Sequence, residues 1–171
     1  MSEPAPAHPQ IAIRPVAPDD FPQASELFGA LHAYNATFDP AFQLSDDWPS
    51  HLTESFEHAQ HQPDTLWALA WDGDEAVGLL IAERHLEAQI FRRRHWIELS
   101  ALYVRPSHRR HGVARLLVDH LLAWSQARGF ESVQLYVSAG NVDAQAFYAR
   151  QGFEPIQEIW RKQLPPSAAG D

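Results

Sequence analysis

The sequence predicts a mixed α/β fold whose central sheet contains one parallel pair of strands. Two apolar runs, residues 66–71 and 76–83, flank an Asp-Gly-Asp turn and predict an antiparallel hairpin. Apolar residues recur at helical spacing over residues 112–128, between alternating apolar runs at 96–104 and 133–137. A strand, a crossover helix and a second strand imply parallel pairing, so the sheet combines both kinds of ladder.

The chain before the hairpin predicts one strand and two helices. Residues 11–15 alternate as a short strand, and residues 19–22 combine two aspartates with an early proline, which is typical of a helix start. A second helix is predicted to begin at residues 47–49 and to end before Pro63. Residues 34–44, between the two helices, form an aromatic-rich connector and a candidate pocket wall.

The last elements follow the parallel pair. Asn141 is a predicted cap of a short helix that ends at Gly152. Residues 153–164 predict a final strand. Edge strands of this kind make a homodimer a possible assembly.

Composition narrows the class of protein. A chain of 171 residues that is 45% hydrophobic is long enough for one domain, predicted at residues 11–164, between a flexible arm (1–10) and a flexible tail (165–171). The absence of a long apolar run and of a signal-peptide pattern predicts a cytoplasmic protein with no membrane partner. A net charge of −9 argues against nucleic-acid binding and favours an amine-bearing partner. Without cysteine, disulfides, thiolate nucleophiles and Cys-ligated zinc are excluded.

A basic loop links the strand at residues 96–104 to the following helix. It contains arginines, histidines and one glycine, Gly112, at the helix start. Amide N–H groups at a helix N-terminus attract anionic oxygens, and a glycine there lets the backbone approach the ligand. The loop has neither the three glycines of a Rossmann turn nor the Gly-Lys of a P-loop. It therefore predicts a pyrophosphate site that belongs to neither class.

The loop and the last predicted helix together resemble a known family. Arg109, Gly112 and Ala114 form Arg-x-x-Gly-x-Ala, which resembles the acetyl-CoA loop of the GCN5-related N-acetyltransferases (GNAT superfamily). Asn141, the Phe-Tyr pair ending at Tyr148 and the following Gly-Phe are similar to a second block of that superfamily. The strongest match covers about sixty residues, with a looser one over residues 11–162. The resemblance implies a GNAT-type fold: a mixed, mostly antiparallel sheet with a splayed parallel strand pair, flanked by about four helices.

The resemblance also implies acetyl-CoA as acetyl donor and a set of residues that bind it. Backbone N–H groups of the splayed strand would hold the carbonyl oxygen, the loop amides would hold the pyrophosphate, and an asparagine would contact the pantetheine arm or phosphates. The corresponding residues here are Leu102, Tyr103, Val104, Arg109, Arg110, His111, Gly112, Val113, Ala114 and Asn141.

Two residues are candidates for proton transfer. Tyr148 matches the superfamily's tyrosine, whose suggested role is to protonate the departing thiolate, and it lies two helical turns after Asn141, so both can face one ligand. Glu98, on the strand that enters the loop, is the candidate base, acting through water. An ordinary polar residue on a half-exposed strand is the alternative interpretation of Glu98, and a bulge could turn it away.

The acceptor site is predicted in the aromatic connector. Its candidate wall residues are Tyr34, Phe38, Phe42 and Trp48, and the alternative is that they form a satellite core. No metal is expected, because the histidine pairs at 58/61 and 108/111 lack a zinc motif. The basic run at residues 92–94 is interpreted as a solvated loop.

These observations favour an acetyl-CoA-dependent N-acetyltransferase. Its acceptor would be a primary amine on a small molecule, a peptide N-terminus or a lysine, acetylated by direct transfer. The alternative is a non-catalytic CoA or acyl-CoA sensor or interaction module. Transfer of a longer acyl group is a third possibility.

Overall fold

A computed structural model describes residues 10–86, 90 and 95–165. Its strands and helices, in chain order, are β1 (Ile11–Pro15), α1 (Phe21–Asn35), α2 (Trp48–Ala59), β2 (Thr65–Asp72), β3 (Glu75–Arg84), β4 (Trp96–Val104), α3 (Val113–Ala127), β5 (Ser132–Leu135) and α4 (Val142–Arg150). The basic run at residues 92–94, and the predicted arm and tail apart from Gln10 and Pro165, lie outside the described residues. No described helix is long and apolar enough to cross a membrane.

The strands form one sheet in the order β1-β2-β3-β4-β5 within the described residues. The first four pair antiparallel, and β4 pairs with β5 in parallel. This topology confirms the predicted fold class. Helices α1 and α2 pack through Leu27 and Phe56 on one face, whereas α3 packs through Leu117 and Leu121 on the other. The sheet is therefore covered on both sides, as the apolar runs of β2 and β3 require.

A β-bulge at Ser100 changes which face of the sheet the residues of β4 occupy. Ala82 pairs with Leu99 and Ile81 pairs with Ala101, so Ser100 is an extra residue in β4. Leu99 joins the core beneath α3, whereas Ala101 joins the core beneath α1 and α2. A bulge increases local twist and bends the strand. It therefore marks the point where β4 turns away from its parallel neighbour.

The parallel pair is splayed beyond the bulge. Pairing between β4 and β5 covers only Trp96 to Leu99 against Ser132 to Leu135. After the bulge residue Ser100, residues 101–104 of β4 are paired with β3 on one side and have no described strand on the other. This opening leads directly to the basic loop and the start of α3.

The last third of the chain differs from the sequence prediction. β5 ends at Leu135, two residues earlier than predicted, and residues 153–164 contain no strand. The side chains of residues 154–165 are all exposed. A strand is defined by its ladder of hydrogen bonds, and residues 153–164 form no such ladder with another described strand.

Candidate active site

The open side of β4 presents backbone donors. Arg109 donates from Nε to the carbonyl oxygen of Val104 (3.0 Å), which places that carbonyl on the side away from β3. The amide N–H of Arg105 points the other way, to the Val77 carbonyl oxygen (2.8 Å). Because N–H and C=O of one residue share a side and neighbours alternate, the N–H groups of Leu102 and Val104 face the opening. By the same alternation the N–H of Tyr103 faces β3, and only its ring remains available to the site.

The loop after β4 is anchored to the rest of the fold at two points. Arg105 donates to the Ala76 carbonyl oxygen (2.8 Å) and to Glu26 on α1 (2.9 Å). His108 lies within hydrogen-bond distance of Asp72 in the hairpin (3.2 Å) and of the Ser107 hydroxyl (2.8 Å). The predicted phosphate loop is therefore held by the hairpin and by α1 before the helix begins.

Arg109 joins the loop to the aromatic connector. Its guanidinium lies 5.0 Å from the ring centre of Tyr34 and 5.6 Å from that of Tyr103. With Nε bound to the Val104 carbonyl oxygen, this half-buried cation already has protein partners. Arg109 therefore shapes the loop, whereas the exposed Arg110 is the cation that faces solvent at its tip.

The tip of the loop has the backbone conformation of an anion site. Arg110 has a φ of 65° and Gly112 a φ of 83°, both left-handed. Left-handed residues within a turn direct successive N–H groups into one concavity. No side chain caps the first turn of α3, and a Cβ placed on Gly112 would meet nothing within 4 Å. The amides and the positive end of the helix dipole thus face open space, which fits a pyrophosphate.

Helix α4 approaches the same opening from the β5 side. Asn141 is buried and its Oδ1 accepts a hydrogen bond from the Ala144 amide (3.1 Å), so it caps α4. Gln145 donates to the carbonyl oxygens of Ser138 and Ala139 (both 3.0 Å), which fixes the preceding turn. With its carbonyl oxygen used in the cap, the amide NH₂ of Asn141 is the group left for a ligand.

Tyr148 lies two turns further along α4, at the margin of the core beneath α3. Its ring contacts the rings of Phe147 and Phe153, with centroids 5.3 and 5.6 Å away. Burial raises the pKa of its hydroxyl to about 12. The phenol therefore stays protonated across the neutral range, and the described residues offer its hydroxyl no hydrogen-bond partner.

Glu98 lies on β4 before the bulge and has a defined partner. Its Oε2 is 3.2 Å from Nδ1 of His85, and the two side chains are 24% and 35% exposed. His85 in turn stacks on Trp96 with ring centres 4.0 Å apart. The bulge follows Glu98 and does not displace it, so Glu98 lies on the α1/α2 face, opposite Leu99. It is a carboxylate oriented by a stacked imidazole.

The four aromatic residues of the predicted wall separate into two groups. Tyr34 and Phe38 contact each other edge to face, with ring centres 5.1 Å apart, and Phe38 packs on Gly140 before α4. Tyr34 contacts Arg109 of the loop and Phe38 contacts the turn before α4, so this pair links the two sides of the opening. Trp48 instead packs on Phe28 and against the core beneath α1, and Phe42 is 41% exposed. The structure therefore groups Tyr34 and Phe38 with Arg109 and leaves the other two further out along the connector.

Sequence reasoning missed the contact between Arg109 and Tyr34 and the pair of His85 and Glu98, and it considered a bulge near Glu98 without placing it at Ser100. Each joins residues that are far apart in the chain or depends on strand register, which local patterns do not record. Among the described residues no group of three or more potential ligands could hold a metal ion.

Comparisons with known proteins agree with this geometry. Two curated relatives are named mycothiol acetyltransferase. The one from Beutenbergia cavernae is 35% identical over 94 residues (55% of this chain, 30% of that protein). The one from Corynebacterium glutamicum is 31% identical over 109 residues (62% and 34%). The chain therefore spans about a third of the length of these relatives.

Solved structures share the fold. A mutant protein from Bacillus halodurans has a TM-score of 0.79 at 18% identity, covering 90% of this chain and 99% of that one. An aminoglycoside 6'-N-acetyltransferase from Acinetobacter haemolyticus has a TM-score of 0.69 at 23% identity, covering 90% and 99%. A related aminoglycoside acetyltransferase, solved with a bisubstrate analogue of CoA, has a TM-score of 0.69 at 22% identity, covering 91% and 99%.

A model of the acetyltransferase (GNAT) family matches residues 30–153, which include β4, the loop, α3 and α4. The match extends over more than half of the chain and contains every residue of the opening described above. The chain belongs to the acetyltransferase (GNAT) family.

Proposed function

We propose that this protein is an acetyl-CoA-dependent N-acetyltransferase that transfers an acetyl group directly to a primary amine. One observation supports it above the others: the open side of β4 leads without interruption into a left-handed loop and an uncapped helix N-terminus. Strand donors suit a carbonyl oxygen, and loop amides suit a pyrophosphate. The acetyl carbonyl and the pyrophosphate of acetyl-CoA would each meet backbone N–H donors, from β4 and from the loop respectively.

The residues that would hold acetyl-CoA fall into three sets. The loop amides from Arg110 to Ala114, with the Arg110 side chain, would bind the phosphates, since the amide N–H of Arg109 already donates to the Pro106 carbonyl oxygen (3.4 Å). The amide NH₂ of Asn141 would meet the pantetheine arm. The N–H groups of Leu102 and Val104 would bind the acetyl oxygen and stabilise the negative charge that develops there. When bound, acetyl-CoA supplies the thioester carbon that the amine attacks.

Tyr148 would act on the departing sulfur. Its hydroxyl is protonated at neutral pH, so it can donate a hydrogen bond to a thiolate as the carbon–sulfur bond breaks. In water a phenol of pKa ~10 is a weaker acid than a thiol of pKa ~8.5. Desolvation raises the pKa of both groups because both ionise to anions, so burial of the site leaves this relation largely unchanged. Tyr148 would thus donate a hydrogen bond to the departing sulfur and stabilise the negative charge that builds there, and transfer of its proton would depend on the positioning of the hydroxyl beside that charge.

Glu98 would accept a proton, through water, from the ammonium group of the acceptor, so that a neutral amine attacks the thioester carbon. An ammonium cannot attack a carbonyl, and a carboxylate beside the opening can receive the proton that must leave. His85 fixes the orientation of Glu98 through the 3.2 Å contact. The matched test is Glu98→Gln against Glu83→Gln, since Glu83 is the exposed cross-strand neighbour of Glu98 on β3. We expect a fall in kcat on the order of 10²-fold for Glu98→Gln alone.

The acceptor would enter between the connector and α4, against Tyr34 and Phe38. Aromatic faces attract cations, and the chain carries a net charge of −9. Aminoglycosides, the acceptors named for the structural neighbours, are polycationic amines, which suits such a wall. The acceptor class is therefore a primary amine on a small cationic or apolar body, with a peptide N-terminus or a lysine as the broader alternatives.

The predicted partners belong to the same proposal. The acidic net charge supports an acceptor other than nucleic acid. The proposed partner is the amine acceptor, without nucleic acid or a membrane. The outer edge of β5, which has no partner strand among the described residues, supports a homodimer. A cytoplasmic location stays a prediction.

Turnover can be measured with acetyl-CoA and a panel of amines by following release of free thiol. The protein contains no cysteine, so a thiol reagent reports CoA alone. We expect amine-dependent thiol release and a product heavier than the acceptor by one acetyl group. Binding of acetyl-CoA without turnover on any small amine, peptide or lysine substrate would contradict the proposal and favour the non-catalytic sensor.

A further inference from the structure

A carboxylate of the aromatic connector holds a cation that belongs to the chain itself. Asp39 follows Phe38 directly, and its Oδ2 forms an ion pair with Nη2 of Arg161 at 2.8 Å. The other oxygen, Oδ1, accepts a hydrogen bond from the amide of Ala41 at 3.0 Å, which fixes the orientation of the side chain. Asp39 therefore presents one oriented oxygen to a positively charged group.

The charge and exposure of Asp39 suit a site that exchanges one cation for another. The hydrogen bonds from Arg161 and then from the Ala41 amide hold the pKa of the Asp39 carboxyl below its ordinary value, so it is ionised at neutral pH. The side chain of Asp39 is 26% exposed and that of Arg161 is 53% exposed. Because ion pairs in contact with solvent are weak, a ligand cation can take the place of the guanidinium.

The pair of Asp39 and Arg161 lies beside the proposed acceptor wall. Asp39 is the chain neighbour of Phe38, one of the two wall aromatics. Arg161 belongs to the segment after α4, and the first residue of that segment, Phe153, contacts the ring of Tyr148 with centroids 5.6 Å apart. The segment that carries Arg161 thus begins at the proposed hydrogen-bond donor to the sulfur and reaches the connector at the proposed acceptor wall.

An acceptor with two amino groups needs an anion for each of them. The reacting ammonium group would lose its proton to Glu98, and the second ammonium group would keep its charge. The guanidinium of Arg109, 5.0 Å from the Tyr34 ring centre, repels that charge, so the second ammonium group is favoured where a carboxylate offsets the repulsion. Asp39 supplies such a carboxylate, and an ammonium group donates to it as the Arg161 guanidinium does.

We propose that Asp39 binds a second ammonium group of the acceptor, and that Arg161 occupies this position until a diamine displaces it. This narrows the acceptor class to amines with two positive charges, of which one amino group is acetylated and the other is held by Asp39. The inference rests on the acetyl transfer proposed above and names the acceptor chemistry of that same site.

The first test compares straight-chain α,ω-diamines with n-alkylamines of equal chain length. For wild type we expect the KM of the best diamine to be about fivefold lower than that of the matched monoamine, the upper range for a partly exposed ion pair. Asp39→Asn should abolish this preference and leave the KM of the monoamine unchanged, because asparagine keeps an oxygen for the Ala41 amide but carries no charge. Asp46→Asn, at an exposed carboxylate of the same connector, is the matched control and should keep the preference. Equal KM values for the two amines in wild type, or a preference that survives in Asp39→Asn, would overturn the inference.

Arg161→Ala tests whether the guanidinium competes with the acceptor. Removing the competing cation should lower the KM of the diamine by about twofold or more, since a site that is occupied half of the time binds its ligand half as well. The KM of the monoamine should stay as in wild type. Arg161→Lys keeps a cation at the same position and should resemble wild type. A KM of the diamine that is unchanged or raised in Arg161→Ala would contradict displacement of Arg161.

Calorimetric titration separates this inference from the acetyl transfer on which it rests. Binding of the diamine is measured in the presence of CoA, which has no acetyl group to transfer. We expect the Kd of the diamine to rise in Asp39→Asn and to fall in Arg161→Ala, by the same factors as KM. Binding that depends on Asp39, in a protein that acetylates no amine, would contradict the proposed function alone. Acetyl transfer to amines, with a Kd of the diamine that is the same in wild type and Asp39→Asn, would overturn the inference alone, and failure of both measurements would overturn both.

Discussion

The two halves of this molecule differ in how tightly their side chains are packed. From β1 to β4, strands pair on both sides or pack under helices, and Leu69, Leu79, Leu80 and Ile97 are fully buried. From β5 onward, the strand has four residues, the residues of α4 are half-buried or exposed, and the described side chains beyond Phe153 are exposed. Yet Asn141 and Tyr148 lie in this second half. The first half carries the stability of the fold, and the second brings reactive groups to a rigid strand.

The largest difference between the halves should appear in stability. Leu79→Ala removes a fully buried side chain from β3 and should lower the free energy of unfolding by about 2–5 kcal/mol in urea titration. Ile156→Ala, at a residue that is 74% exposed, should change the free energy of unfolding of the monomer by no more than about 0.5 kcal/mol. Equal losses in the free energy of unfolding for Leu79→Ala and Ile156→Ala, measured at concentrations where the protein is monomeric, would contradict the difference in packing between the two halves.

A second comparison concerns Gly112 and Gly73. Both have left-handed φ values (83° and 59°) and open space where a Cβ would be, but only Gly112 lies in the loop before α3. Valine at either position should cost about 1–3 kcal/mol in backbone strain. Acetyl-CoA at 100 times its Kd should stabilise wild type and Gly73→Val by about 2.7 kcal/mol.

Gly112→Val should lose most of that stabilisation, because its side chain occupies the space in front of the loop amides. Calorimetric titration of both valine variants checks this directly. An unchanged affinity of Gly112→Val for acetyl-CoA would contradict the assignment of the loop as the phosphate site.

A third comparison separates the residues of the aromatic connector that face the opening from those that pack in the core. Phe38→Ala should raise KM for the amine on the order of tenfold, with little change in Tm, because Phe38 faces the opening beside Gly140. Trp48→Ala should instead lower the free energy of unfolding by about 2–3 kcal/mol, because Trp48 packs on α1. A large fall in Tm for Phe38→Ala with an unchanged KM would place Phe38 in a satellite core.

The last comparison is a pH dependence of stability from Tyr148, which appears only at alkaline pH. Burial raises its pKa to about 12, above the ordinary value of 10.0. The folded state thus binds this proton more tightly than the unfolded state. The stability it contributes is complete below pH 10 and is lost as pH rises toward 12. Wild type should therefore lose stability relative to Tyr148→Phe above pH 10, whereas Tyr136→Phe, at a 67% exposed position, should follow wild type. Parallel curves for wild type and Tyr148→Phe would contradict a buried hydroxyl.

The sequence predicted the parts of this structure that depend on local pattern. The hairpin, the strand–loop–helix around Gly112 and the capped helix with Asn141 and Tyr148 follow from turn residues and periodicity. The bulge at Ser100 and the position of Arg109 between Tyr34 and Tyr103 depend on register and long-range packing. The predicted last strand was wrong within the described chain for a related reason. An alternating pattern predicts an extended segment, but a strand also needs hydrogen bonds to a neighbouring strand, and residues 153–164 form none with a described strand.

The central claim is that Tyr148 serves the reaction and contributes little to the fold or to cofactor binding. Steady-state kinetics of Tyr148→Phe with acetyl-CoA and a productive amine test it most directly, with Tyr136→Phe as the matched control. We predict a fall in kcat on the order of 10²-fold for Tyr148→Phe, with Tm at neutral pH and the Kd for acetyl-CoA unchanged. An unchanged kcat in a variant whose chemical step is shown to be rate-limiting would contradict the account.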